Sequence, residues 1–158
     1  MVLRLTSAHV QNVRQHAVQE YPRECCGALL GTENEVGRSV SEVVPLDNII
    51  NKSEVPDALV PAELISDWSA RDRYFVDPRE QIRLEKEARN RELKILGFYH
   101  SHPDSPACPS KSDLHLAWPK YSYVIVSVNE GVAMEFISWQ LDPERTGFIR
   151  EAMEILEQ

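Results

Sequence analysis

Leu93-Lys94-Ile95-Leu96-Gly97-Phe98-Tyr99-His100-Ser101-His102-Pro103, followed after a gap of six residues by Ser110-Lys111-Ser112-Asp113, is the stretch on which the reading of this chain turns. Leu93 to Tyr99 is apolar enough for a buried strand, and it delivers His100 at its end. Side chains alternate along a strand, so His100 and His102 share one face while Ser101 turns away. Two imidazoles can then share one ion. Pro103 is expected to stop strand pairing. The segment Asp104 to Pro109 holds Pro106 and Pro109 and no glycine, so it is stiff, and it can fold back to bring Asp113 to the same ion. Two histidines and a carboxylate make a three-ligand zinc site with a position open for water, an arrangement suited to catalysis. A second reading of the same letters is compatible with the first. Ser110-x-x-Asp113 is also a helix start, with Ser110 as cap and Asp113 three positions on.

Outward from this stretch the elements alternate. Val2 to Leu5 suits a short strand, and Thr6 or Ser7 can cap a helix carrying Val10, Val13, Ala17 and Tyr21 at helical spacing, ended by Pro22. Cys25 to Leu30 reads as a buried strand, with a turn at Thr32 to Asn34 into a second strand over Val36 to Val44. Residues 47 to 70 read as a long surface loop with a local helix at Glu63 to Trp68. Arg73 to Val76 suggests a strand. Asp77-Pro78-Arg79-Glu80 is a helix entry with Asp77 as cap, Pro78 in the first turn and Glu80 closing a capping box. That helix runs to about Asn90, with Glu85–Arg89 and Glu87–Arg91 spaced as ion pairs. Ser112 to Trp118 is a short helix stopped by Pro119, and Tyr121 to Val128 is a central strand buried on both faces. Asn129-Glu130-Gly131 turns it into Val132 to Trp139, with Gly131 at a positive φ. Phe148 to Leu156 suits an edge strand or a helix.

At 158 residues the chain fits one domain, residues 1–158, with an α/β or α+β layer architecture and a variable loop at about 47–70. Apolar residues are 42% and charged residues 27%, which is ordinary for a globular protein and excludes a disordered or fibrous one. The net charge of −8 disfavours nucleic acid, whose phosphates would be repelled. Three cysteines, two of them adjacent at Cys25 and Cys26, make no disulfide framework and point to a reducing compartment. No membrane span or signal segment is expected, so the expected location is the cytoplasm.

His100-Ser101-His102-Pro103 with Ser110-x-x-Asp113 and an upstream Glu24 resembles the motif of the JAMM or MPN-plus metalloproteases, the Mov34/MPN/PAD-1 family. Residues 22–31 resemble the family's Glu-bearing strand and Tyr121 to Val128 its later strand, and the likeness spans about residues 3–140. Glu24-Cys25-Cys26-Gly27 and Phe75-Val76-Asp77-Pro78 look most like the bacterial single-domain members. The resemblance implies a cytidine-deaminase-like mixed sheet flanked by helices. It implies Zn2+ held by His100, His102 and Asp113, Glu24 as general base and Ser110 as donor to the oxyanion. Some bacterial members trim ubiquitin-like sulfur-carrier proteins. The implied partner is therefore such a protein with an extended C-terminal tail, and the implied activity is hydrolysis of the amide after its terminal glycine. Ubiquitin-type conjugates, other peptides or a non-catalytic interaction module are the alternatives. The His-x-Glu and Pro-Cys-x-x-Cys elements of zinc deaminases are absent.

Other residues read more plainly. Glu24 without the motif would be a surface carboxylate after a helix end. Cys25 and Cys26 suit buried packing better than nucleophilic catalysis. Cys108 lies in the loop beside the candidate ligands. His9, His16 and His115 suit ordinary helix positions. Trp68, Trp118 and Trp139 suit packing, with Trp68 the one able to line a groove.

Overall fold

The computed structural model describes residues 1–49 and 74–157. The local helix expected at Glu63 to Trp68, Trp68 itself and Arg73 lie outside them. β1 (Val2–Thr6) leads into α1 (Ser7–Glu20), β2 (Cys26–Glu33) and β3 (Gly37–Leu46). α2 (Pro78–Asn90), β4 (Lys94–Pro103) and α3 (Lys111–Leu116) follow, and β5 (Ser122–Asn129), β6 (Val132–Leu141) and β7 (Phe148–Leu156) complete the order. The strands form a mixed sheet in the order β1-β3-β2-β4-β5-β6-β7 that closes on itself. β7 is thus a strand with two partners, antiparallel to β6 and parallel to β1.

The helices flank this sheet and divide its core. Val13 and Ala17 of α1 pack with Leu3, Leu29, Tyr99 and Val126 on one face. Leu84 and Ala88 of α2 pack with Leu30, Ile95, Phe98 and Tyr123 on the other. β5 is buried throughout except at Asn129, as its unbroken apolar run requires. β4 and β5 run parallel, and at Gly97 a Cβ would collide with the Ser122 carbonyl, so only glycine lets the two backbones pair there. Gly131 takes the positive φ its turn needs.

The caps fall where the letters put them in all three helices, and a capping box forms in α1 and α3. Thr6 Oγ1 accepts the His9 amide, and His9 Nδ1 accepts the Thr6 amide in return. At α2 the Asp77 carboxylate accepts the Arg79 amide and guanidinium, and Glu80 turns to Arg83 at 2.6 Å, so the expected capping box does not form. Nor do the expected pairs on this helix: Glu87 binds Arg83, and Arg91 reaches across to Glu42 on β3. Residues 74–77 carry no strand. Trp118 is 63% exposed rather than packed, because α3 ends at Leu116 and releases it past the last turn. Pro103 does not stop the pairing; it lies opposite Val128. The Ser101 amide faces β2, so by alternation the missing amide of Pro103 would face that side too, beyond the end of β2.

Candidate metal centre

β4 carries the two histidines as alternation requires. His100 Nε2 and His102 Nε2 lie 3.2 Å apart in a buried position. Asp113 meets each through a separate oxygen, Oδ1 at 3.0 Å from His100 and Oδ2 at 3.1 Å from His102. What aims that carboxylate is the helix start. Ser110 Oγ accepts the Asp113 amide at 3.1 Å, and Asp113 Oδ2 accepts the Ser110 amide at 2.8 Å. The capping box therefore forms, and it orients Asp113 toward the histidines.

The donor set fits a cation. His102 Nδ1 is 2.8 Å from the Pro106 carbonyl, which can only accept, so Nδ1 carries a proton and the neutral ring turns the lone pair of Nε2 inward. That lone pair faces Asp113 Oδ2, and two acceptors at this distance require a proton or a metal ion between them. Nitrogen and carboxylate oxygen together suit a borderline divalent ion. Without metal, burial raises Asp113, yet the charge and hydrogen bonds of the histidines outweigh it and hold the carboxyl well below its usual range. Burial lowers His102, but the hydrogen bond and charge of Asp113 prevail and raise it. For His100 burial prevails over the charge and hydrogen bond of Asp113 and lowers the pKa.

Glu24 lies two residues before β2. The pairing places Cys26 opposite His100 in antiparallel register, which carried two residues further sets Cys25 opposite Ser101 and Glu24 opposite His102. Cys25 fixes that end of the strand twice: its amide donates to Ser101 Oγ at 2.8 Å and its carbonyl accepts the Ser101 amide at 3.2 Å. The side chain that turns away from the histidines thus anchors the neighbour of Glu24. Glu24 is only 3% exposed, and its carboxylate lies within 4.8 Å of the donor atoms of both histidines. A depression of about 330 Å³ is lined by Glu24, His102, Pro106, Cys108 and Ser110. The Ser110 oxygen accepts a hydrogen bond from the Asp113 amide, which leaves the hydroxyl hydrogen able to donate; capping and donation do not compete. The structure therefore brings Glu24, His100, His102, Ser110 and Asp113 to one place.

The remaining candidates sort themselves by burial. Cys25 and Cys26 are buried, and burial pushes the Cys25 thiol up to about 12 and Cys26 well above its ordinary value, which leaves no thiolate nucleophile near neutrality. Cys108 is exposed. His9 serves the α1 cap, His16 Nδ1 meets the Tyr99 hydroxyl at 2.7 Å, and His115 is exposed on α3.

Three contributors were not visible in the letters. Tyr74 stacks on the His100 ring at 4.5 Å with 25° between planes. Asn48 bridges the Glu24 carbonyl and the Phe75 amide. The Pro106 carbonyl sets the His102 tautomer. Only the last had a local signal, the short stiff loop after His102; the other two join segments far apart in sequence.

Comparison with known proteins identifies the family. Residues 6–142 match the model of the family described as prokaryotic homologs of the JAB domain. A desampylase of Haloferax volcanii is 29% identical over 119 residues, 75% of this chain and 72% of that protein. A probable TtuB-protein conjugate cleaving protease of Thermus thermophilus is 30% identical over 125 residues, 79% of this chain and 70% of that one. The solution structure of a Desulfitobacterium hafniense protein superposes with a TM-score of 0.76 at 30% identity, covering 99% of this chain and 94% of that chain. Among the described residues no helix is long and apolar enough to cross a membrane.

Proposed function

The chain belongs to the prokaryotic homologues of the JAB domain, and from that premise we propose that it is a zinc-dependent peptidase that hydrolyses the amide after the C-terminal glycine of a ubiquitin-like protein of the sulfur-carrier kind. The observation that supports this best is the convergence of Glu24, His100 and His102 in a buried group, with Asp113 bridging the two rings. His100, His102 and Asp113 would hold the ion. Zinc bound there would polarise the substrate carbonyl and make an adjacent water acidic near neutral pH.

The protein's own groups carry the rest. Glu24 takes the proton of the attacking water and delivers it to the departing amine. Its burial beside two imidazoles keeps it within reach of both positions. Ser110 donates its hydroxyl hydrogen to the carbonyl oxygen as negative charge develops there, a contribution of about 3 kcal/mol for one such donor. Ser101 holds the Glu24 strand through Cys25. Asp113 stays ionised because the histidine cluster favours the charged form. The relative named as a probable conjugate-cleaving protease supports a protein tail as substrate. A non-catalytic module is disfavoured because that same relative carries a catalytic name.

The test is cleavage of a purified ubiquitin-like carrier extended by one residue beyond its terminal Gly-Gly, followed by intact-mass spectrometry. Activity lost to a chelator and restored by zinc is expected. Activity that survives the chelator and is lost to thiol alkylation would overturn the proposal.

A further inference from the structure

Asn48 stands just beyond β3, outside the depression, yet two of its side-chain atoms reach toward the centre from different segments. Its Nδ2 donates to the main-chain carbonyl of Glu24 at 3.0 Å, and its Oδ1 accepts the amide of Phe75 at 3.0 Å. The amide's orientation follows from its partners, since a carbonyl can only accept and a backbone N–H can only donate. The next residue completes the joint: the Ile49 amide donates to the Phe75 carbonyl at 3.0 Å. Phe75 is therefore held at both of its peptide polar groups. Its neighbour Tyr74 is 8% exposed and lies flat on the His100 ring. Among the described residues His100 Nδ1 has no hydrogen-bond partner, and the face of Tyr74 is the contact that orients this ring from outside the cluster.

From these contacts we infer that Asn48 is a positioning residue that sets Glu24 and the His100 ring relative to each other. One planar amide fixes the main chain of the base on one side and the segment bearing the stacking ring on the other. The pairing demands a donor and an acceptor on the same short side chain. Aspartate keeps the acceptor for Phe75 but sets an acceptor against the Glu24 carbonyl; alanine loses both contacts. The cost falls on the chemical step rather than on binding, because Asn48 touches neither the depression nor the candidate ligands, and a misplacement of about 1 Å in a reacting group costs on the order of a hundredfold.

The kinetic part rests on the proposed peptidase reading, so the test has two arms. In metal-free protein, amide hydrogen exchange at Phe75 should be slow in the wild type and in Asn48→Asp and fast in Asn48→Ala. In zinc-loaded protein both variants should lose about a hundredfold in kcat, with KM within about twofold and zinc content unchanged. Leu84→Ala, which weakens the α2 side of the core, supplies a destabilised control that keeps its kcat. Slow Phe75 exchange in Asn48→Ala, or wild-type kcat per bound zinc in either variant, overturns the inference. A wild type without zinc-dependent turnover would instead overturn the peptidase reading, and the exchange arm would still decide the joint.

Discussion

Ser101→Ala removes one oxygen from a fully buried site between the two candidate ligands. The Cys25 amide, now bonded to Ser101 Oγ at 2.8 Å, loses its acceptor in a place water does not reach. An orphaned buried amide costs about 1–3 kcal/mol. For a domain of this size each kcal/mol moves the melting temperature by about 2–4 °C, so a fall of roughly 2–12 °C is expected. The backbone bond from the Ser101 amide to the Cys25 carbonyl survives, which keeps the register of β2 on β4. The proposed ligands His100, His102 and Asp113 are untouched, so under the proposed function zinc should still bind at one ion per chain. Glu24 loses a restraint on its neighbour, and kcat should fall about tenfold to a hundredfold. Melting must be followed both with chelator and with zinc, because an ion that binds only the folded state adds its own stabilisation. A chelated protein that melts within 1 °C of the wild type, together with an unchanged kcat, would refute the reasoning.

Glu24→Gln keeps the shape of the side chain and removes the base; turnover should drop by about 10²–10⁴ while zinc stays bound, and retained hydrolysis in a metal-replete sample would remove Glu24 from the reaction. Native protein should offer a single reactive thiol to alkylation at pH 8, Cys108, and unfolded protein all three, a difference read by mass; fast labelling of Cys25 or Cys26 would contradict their burial. Comparing metal-free wild type with Asp113→Asn gives a pH test. Asp113 is depressed below its unfolded value of 3.8, so its contribution is present above that pH and fades as pH falls. His102 is raised above 6.5, so its contribution is complete below that pH and fades as pH rises through the folded value. The stability gap between the two proteins should therefore peak between 3.8 and 6.5, and chemical denaturation that finds it growing toward pH 9 would invert the assignment.

Local periodicity made much of this protein legible. His100 and His102 share a face because a strand alternates, and Ser110 and Asp113 meet because a helix start pairs a cap with its third residue. Both rules act over four residues or fewer. Glu24 was legible only through its motif, since nothing near Pro22 announces that a carboxylate there is buried; its burial follows from β2 lying beside β4. The short-range rules failed where another partner competed, near or far. Glu80 turned to Arg83 in place of a capping box, and Arg91 found Glu42 on another strand. Trp118 looked like packing by composition, but its place after the last turn of α3 leaves it in solvent.

Sequence by itself determined the histidine pair on one strand face, the helix start that carries Asp113, the buried run of β5 and the family likeness, because each is written in neighbouring residues or in one compact motif. Tertiary structure alone decided that β7 closes the sheet onto β1, that Ser101 fastens the strand beside Glu24, and that Asn48 joins Glu24 to the segment whose Tyr74 covers His100. Those contacts join residues dozens of positions apart. Their energies exist only once the chain has folded, and no spacing along the chain records them.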